Sequence, residues 1–262
     1  MTISWRFETV QSTESTNSDL LNRWHQHSLV EPTSLRAMAQ TAGRGRRGKN
    51  WVSHQDQSLT FSLAYPFPAS STMMQLQGLS LACGLTVLKS ILHYLQLSES
   101  TAKKIGLGLK WPNDLLCQNR KLGGLLVEGG QKSPLEPIWM VIGVGINLSL
   151  PRLTTDHLDT ASLSEINTAL VGLNQEELWQ LITVNIGYAL EKFTHHRFSA
   201  FQEEWNHWDS WYGDLLTVHH DQQIVCVGKS IGVNPNGYLL LDTSLGVQEI
   251  SSGELSLSHN TP

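Results

Sequence analysis

The chain has 262 residues, of which 40% are apolar and only 16% charged; that supplies a sizeable core in one large or two smaller domains and argues against disorder. With 18 basic against 23 acidic residues and a formal charge of −5, it lacks the strongly basic balance of a general nucleic-acid binder. No stretch approaches ~18 uncharged apolar residues, so no membrane span is expected.

Residues 7–14 read as a strand. Ser15-Thr16-Asn17-Ser18 then offers several N-cap oxygens before Leu20, Leu21 and Trp24 at helical spacing. Leu35–Ala39 and Leu59–Ala64 read as short strands, the second ended by Pro66 and Pro68. Leu81, Leu85, Leu88, Leu92 and Leu95 predict one long helix over 73–97. Gly106–Trp111 is a strand, and Leu122–Glu128 pairs with Ile138–Leu148 around a turn at 129–137. Asn174-Gln175-Glu176-Glu177 resembles a capping box opening a helix to about Phe193, and 197–209 reads as another helix. After Gly213 short strands follow at 214–220, 222–230, 237–242 and 246–250, with a turn at Asn234-Pro235-Asn236-Gly237. A boundary is placed at 211/212, with a small all-β barrel over 212–262. The start, Met1 to Arg6, lacks a signal peptide's apolar core. Cys83, Cys117 and Cys226 form neither a metal motif nor a disulfide framework. A cytoplasmic location fits both.

Gly43-Arg44-Gly45-Arg46-Arg47-Gly48-Lys49 puts four cations within six positions, separated by glycines. Glycine lets backbone N–H groups approach an anion, and arginine offers a fork matched to phosphate or carboxylate. The run is either a phosphate loop or an RG-rich patch that binds nucleic acid or is simply solvated. Trp51, just beyond it, either stacks on a base or joins the core. Lys110-Trp111-Pro112-Asn113-Asp114 ends a strand, where binding loops often lie. Asp114 is a candidate Mg²⁺ ligand or part of a plain Asx turn. Lys121 precedes Gly123-Gly124, which let backbone approach a ligand. Gly143, Gly145 and Asn147 share one strand face, carving a flat slot or admitting a packed helix. The histidine pairs lack metal-site spacing and read as structural.

Together these segments resemble the biotin protein ligases. The matching pieces are Ser15-Thr16-Asn17, Gln40 through the glycine–arginine run to Trp51, Lys110 to Asp114, Arg120 to Glu128, and Gly143 to Leu148, with Gly253-Glu254-Leu255-Ser256-Leu257 near the end. The resemblance implies an α+β fold of the class II aminoacyl-tRNA synthetase/biotin ligase type: a mixed sheet backed by helices, followed by an SH3-like barrel. It implies ATP and biotin as substrates, Mg²⁺, and transfer through biotinyl-5′-AMP to a lysine of the biotin carboxyl carrier protein of acetyl-CoA carboxylase. Arg46 and Lys121 are implied as catalytic. Ser15, Thr16, Asn17, Gln40, Gly43, Arg44, Gly45, Arg46, Lys121, Gly124, Gly143 and Gly145 are implied to form the biotin site. Arg44, Arg46, Arg47, Trp51, Lys110, Asn113, Asp114 and Asn147 are implied to hold ATP, with Asp114 at the metal. The motifs begin at Ser15, leaving no room for the DNA-binding domain of some relatives, so no DNA partner is expected; nor is a membrane partner. A monomer or homodimer is expected. Ser258 stands where relatives can carry an arginine that reaches the nucleotide. The rivals are a lipoate ligase on the same fold and an RNA-binding protein.

Overall fold

Alternation along the central strands decides where the site lies. The computed structural model describes residues 3–150, 159–166, 173–220, 223–251 and 256–259. Its main sheet is built from β1 (Arg6–Thr13), β2 (Thr33–Gln40), β3 (Ser58–Phe67), β4 (Leu107–Lys110), β5 (Asp114–Cys117), β6 (Arg120–Gly130) and β7 (Ile138–Asn147). The strand order is β1-β2-β3-β7-β6-β5-β4; β1 and β2 run parallel and all other pairs antiparallel. It is the expected mixed sheet.

On β3 and β7, Leu59, Phe61, Leu63, Ile142, Val144 and Ile146 point into the large core. That core also buries α2 (Leu79–Tyr94) and α5 (Gln175–His196). The opposite face carries α1 (Thr16–His25), whose Leu20 packs with Ala64 and Val141. By strand parity Thr60, Ser62, Gly143 and Gly145 belong to this second face, and register pairs Thr60 with Gly145 and Ser62 with Gly143. Small and polar side chains there leave the sheet uncovered beyond the start of α1.

Several elements differ from the sequence reading. The long helix over 73–97 is a 3₁₀ turn at Met73–Leu76 followed by α2, broken at Gly78, which holds φ +78°. Met73–Tyr94 is long and apolar enough to cross a membrane by length and composition, but 72% of its apolar 18-residue stretch is buried inside the protein. β3 continues through Pro66, which is tolerable because β2 pairs with β3 only as far as Ala64. The helix predicted over 197–209 is a 3₁₀ turn at Phe198–Ala200 and α6 (Gln202–Trp208). The short helices α3 (Glu99–Lys104) and α4 (Leu163–Ile166) are additions to the sequence reading. At α5, Asn174 caps through its side chain as expected, while its own N–H donates to Tyr94 Oη at 3.0 Å.

The C-terminal strands are β8 (Leu215–His220), β9 (Gln223–Val233), β10 (Leu239–Thr243), β11 (Gly246–Ile250) and β12 (Ser256–His259). They form an antiparallel sheet ordered β11-β10-β9-β8-β12, in which no ladder joins the two outer strands among the described residues. The expected barrel is therefore an open sheet. Register shifts on both sides of β9 supply its bend without closing it. Gly253 to Leu255 and the Ser258 side chain lie outside the described residues.

The chain enters this sheet along the edge of the main one. Asp209 forms a parallel bridge to Leu109 of β4, and Ser210 N–H donates to Leu109 O at 2.8 Å. Trp111 Nε1 donates to Gly237 O at 2.9 Å, and Leu216, Val218, Leu239 and Leu241 share one contiguous core with α2 and α5.

Asp209 is poorly solvated at this junction. Its Oδ1 accepts from Trp211 N–H at 3.0 Å, while Oδ2 is buried without a hydrogen-bond partner. Burial pushes its pKa up to about 6, against the pull of that N–H; Asp214 raises it further and Lys103 lowers it. The folded state thus binds this proton more tightly than the unfolded chain. Its contribution to stability is fullest below pH ~4 and is lost as pH rises through about 6. Asp209→Asn should therefore gain on the wild type by ~1 kcal/mol between pH 5 and pH 8, discounted for the part of the residue reaching solvent. Urea unfolding at both pH values measures this; an equal difference at the two would contradict it.

Candidate active site

A cleft of about 300 Å³ opens on the α1 face of the main sheet. Its floor is the Thr60–Ser62 and Gly143–Gly145 stretch of β3 and β7, continued by Gly124 and Leu126 of β6. One wall is the start of α1. The basic loop arches over the top, and the 110–114 segment with Lys121 closes the far end.

The side chains lining the α1 end are polar and uncharged. Ser15 caps α1, accepting from Ser18 N–H. Thr16 N–H donates to Gln40 Oε1 at 2.8 Å. Ser62 Oγ lies 2.7 Å from Thr16 Oγ1 and donates to Asn17 Oδ1 at 2.6 Å. Asn17 Nδ2 donates to Leu126 O at 3.2 Å and Glu128 Oε2 at 2.9 Å. Ser15, Thr16, Asn17, Thr60 and Ser62 are all buried, so this end is a preformed set of hydroxyl and amide groups. Gly143 leaves room for it: a Cβ there would stand 2.4 Å from Asn17 Oδ1.

The other end is cationic. Arg44, Arg46, Arg47, Lys49, Lys110 and Lys121 line it, with Asp114 as the one carboxylate among the described lining residues. Arg44 grips Glu128 with its two terminal nitrogens, Nη1 and Nη2, at 3.1 and 2.5 Å. Arg46 Nη1 donates to Asn113 Oδ1 at 3.3 Å, and Asn113 Nδ2 is anchored on Leu125 O at 2.9 Å. Burial, then the charge of Arg47, pulls the Arg46 guanidinium below its ordinary pKa; it remains a cation at any working pH. Arg47 holds φ +55°, an uncommon conformation for a side-chain-bearing residue and one that recurs at functional sites. Lys121 Nζ lies 2.8 Å from Asp114 Oδ1, an oxygen that is buried and makes no aligned hydrogen bond. The Lys121 backbone is clamped by Asp159 O at 2.7 Å and Ala161 N at 2.9 Å.

The site residues named from sequence gather here with two exceptions. Gly43 stands behind the wall, where Trp51 N–H donates to its carbonyl at 2.8 Å and pins the loop's base. Asn147 shares the glycine face by parity, but its Nδ2 donates to Lys121 O at 3.2 Å and Ala161 O at 3.1 Å. It braces Lys121 from outside the cleft lining. Trp51 is neither core nor free: its ring covers Gly145, where a Cβ would approach Cε2 and Cζ2 to 2.5 Å. Thr60 and Ser62 join the lining without having been singled out by the sequence reading, and Glu128 stands outside it as the shared partner of Arg44 and Asn17. The period-2 pairing of Thr60 and Ser62 against Gly145 and Gly143 is the signal that would have found the first two.

A model of the biotin/lipoate A/B protein ligase family matches residues 9–147. The chain belongs to that family. The bifunctional ligase/repressor BirA of Escherichia coli K12 is 30% identical to it over 245 residues, 93% of this chain and 71% of that protein. The biotin--[acetyl-CoA-carboxylase] ligase of Mycobacterium tuberculosis is 34% identical over 173 residues, 65% of this chain and 60% of that one. The structure of biotin protein ligase from Aquifex aeolicus in complex with biotin and ATP matches with a TM-score of 0.78 at 26% identity, covering 97% and 99% of the two chains.

The Arg44–Glu128 pair ties the loop, near its base, to the sheet. Both partners are partly exposed, so the pair contributes ~0.5–1 kcal/mol. Glu128→Gln should quicken tryptic cleavage at Arg44, Arg46 and Arg47 by about two- to fivefold in the ligand-free protein. Unchanged cleavage would show that the pair does not hold the loop.

Proposed function

We propose that this ligase activates biotin with ATP and transfers it to a lysine of a biotin carboxyl carrier protein, the carrier of acetyl-CoA carboxylase. The observation that carries the reading is one continuous cleft with an uncharged hydrogen-bonding end and a strongly cationic end. A ureido ring needs donors and acceptors at fixed positions, which the Ser15–Thr16–Asn17–Ser62–Gln40 cluster supplies. A lipoyl dithiolane has no use for them, and a site built to hydrogen-bond rejects ligands that cannot. The family spans biotin and lipoate ligases alike, and relatives whose names specify biotin and acetyl-CoA carboxylase support the same choice.

Both reactants of the first step are anions. A biotin carboxylate oxygen attacks the α-phosphorus of ATP, forming biotinyl-5′-AMP as the bond to pyrophosphate breaks. Arg46, held by Asn113, and Lys121, beside Asp114 and Gly124, are placed to offset charge on carboxylate and α-phosphate. Arg44, Arg47 and Lys110 take the remaining phosphates, and Trp51 closes over the product and sheds water from the anhydride. In the second step a neutral carrier lysine attacks the acyl carbon, AMP leaves, and the amine's proton passes to solvent.

Mg²⁺ is read as arriving with the nucleotide. No group of three or more metal-ligating side chains occurs among the described residues, and Asp114 offers one carboxylate whose buried Oδ1 lacks an aligned donor. That donor set fits an ion held mainly by phosphates and water. We assign residues 1–211 to catalysis and 212–262 to a supporting sheet. The reaction is placed in the cytoplasm, consistent with three unpaired cysteines.

Arg46→Ala should slow biotin-dependent exchange of pyrophosphate into ATP about a hundredfold, the usual effect of losing one donor to a developing charge. Near-normal exchange would remove Arg46 from the mechanism. Lys121→Ala should fail in the same step with its circular dichroism unchanged, and normal exchange would make it a surface residue. The assignment itself is tested by transfer of labelled biotin from biotin and ATP to a carrier domain. Transfer of lipoate in place of biotin would overturn it.

A further inference from the structure

The proposed ATP end contains a cation whose position is set from outside the cleft. Lys110 is the last residue of β4 and lines the cleft beside Lys49, Asp114 and Lys121. Asp114, the acid nearest these lysines, is committed to Lys121 at 2.8 Å. Burial and the like charges of Lys121 and Lys49 both disfavour the Lys110 ammonium, with Asp114 opposing them. The group nonetheless has a favourable seat: its Nζ lies 4.1 Å from the centroid of the Trp211 ring. An indole face at that range attracts an ammonium electrostatically, most strongly where both are screened from water.

Trp211 is buried and held by three features of the chain entering the C-terminal sheet. Its N–H donates to Asp209 Oδ1 at 3.0 Å. Ser210 N–H is bonded to Leu109 O at 2.8 Å, one residue before Lys110. The approach depends on Gly108, where a Cβ would meet Ser210 Oγ and come within 2.9 Å of Trp208 O. The segment 208–211 is thus an extra edge on β4, and its indole is the platform for Lys110.

Resting on the ATP reading above, we propose that Trp211 is a positioning residue for nucleotide binding: it holds the Lys110 ammonium towards the phosphates and couples the C-terminal sheet to the ATP end of the site. The ring touches neither nucleotide nor biotin. Its effect is on ATP affinity, and it acts only through Lys110.

The test is a double-mutant cycle in biotin-dependent pyrophosphate exchange by the full-length protein, using Trp211→Leu, Trp211→Phe, Lys110→Met and the two doubles. Trp211→Leu should raise the KM for ATP about tenfold, with kcat within twofold and biotin affinity by calorimetry unchanged. Trp211→Phe, which keeps an aromatic face, should recover most of the loss. With Lys110→Met in place, neither Trp211 substitution should move the KM for ATP further. Equal effects of Trp211→Leu with and without Lys110 would overturn the proposal, because they would mark a packing role only. If Trp211→Leu fails to fold, the Trp211→Phe pair carries the cycle. It should raise the KM for ATP about two- to threefold when Lys110 is present and leave it unmoved in the Lys110→Met background; equal shifts again refute the proposal. A wild type without exchange activity would instead defeat the ATP reading itself.

Discussion

Six positive side chains facing one cleft are the constraint around which this molecule is arranged. At an effective dielectric of about 20, two like charges ~7 Å apart repel by ~2 kcal/mol. An assembly of this kind needs counter-groups that hold each cation in place without neutralising the site. For four of the six the structure uses a different residue each time. Arg44 takes the carboxylate of Glu128, Arg46 a neutral amide oxygen, Lys121 the carboxylate of Asp114, and Lys110 an indole face. Two of the four holders carry no charge, so the cleft stays electropositive in a chain that is acidic overall.

The sheet explains how the uncharged end can sit beside that field. Strand parity sends the bulky residues of β3 and β7 into the α2–α5 core and leaves Thr60, Ser62, Gly143 and Gly145 on the other face. The start of α1 brings Thr16 and Asn17 down onto those small residues, where their hydroxyl and amide groups satisfy one another. Gly145, on the same face, lies under the ring of Trp51, and Lys121 Nζ stands 5.9 Å from that ring's centroid. On the proposed reading, a carboxylate leaving the polar end arrives where the cations begin.

Local spacing makes much of this legible. The alternation of Gly143, Gly145 and Asn147, the Ser15 cap and the Asn234–Gly237 turn are short-range patterns, and the chain adopts each of them. What escapes a sequence reading depends on partners distant in the chain. Thr60 and Ser62 matter because of a cross-strand register with β7, and Glu128 because a loop 84 residues away folds onto it. The tight β5–β6 hairpin is hidden because its turn uses Gln118 and Asn119, both at positive φ, where Asn-Gly would have announced it. Asn147 lies on the expected face, yet its amide is consumed in bracing Lys121. The barrel is an open sheet, since a run of short strands specifies hairpins and leaves the closing ladder undetermined.

On the proposed reading, one cleft holds biotin at its polar end and the nucleotide phosphates at its cationic end. A crystal structure of the protein grown with biotin and ATP tests it most directly. The account predicts the fused ring of biotin over Gly143, within hydrogen-bond reach of the Ser15–Thr16–Ser62 cluster, and an α-phosphate between Arg46 and Lys121. A nucleotide bound elsewhere, or biotin lying in the reverse direction with its carboxylate beside Thr16, would contradict it.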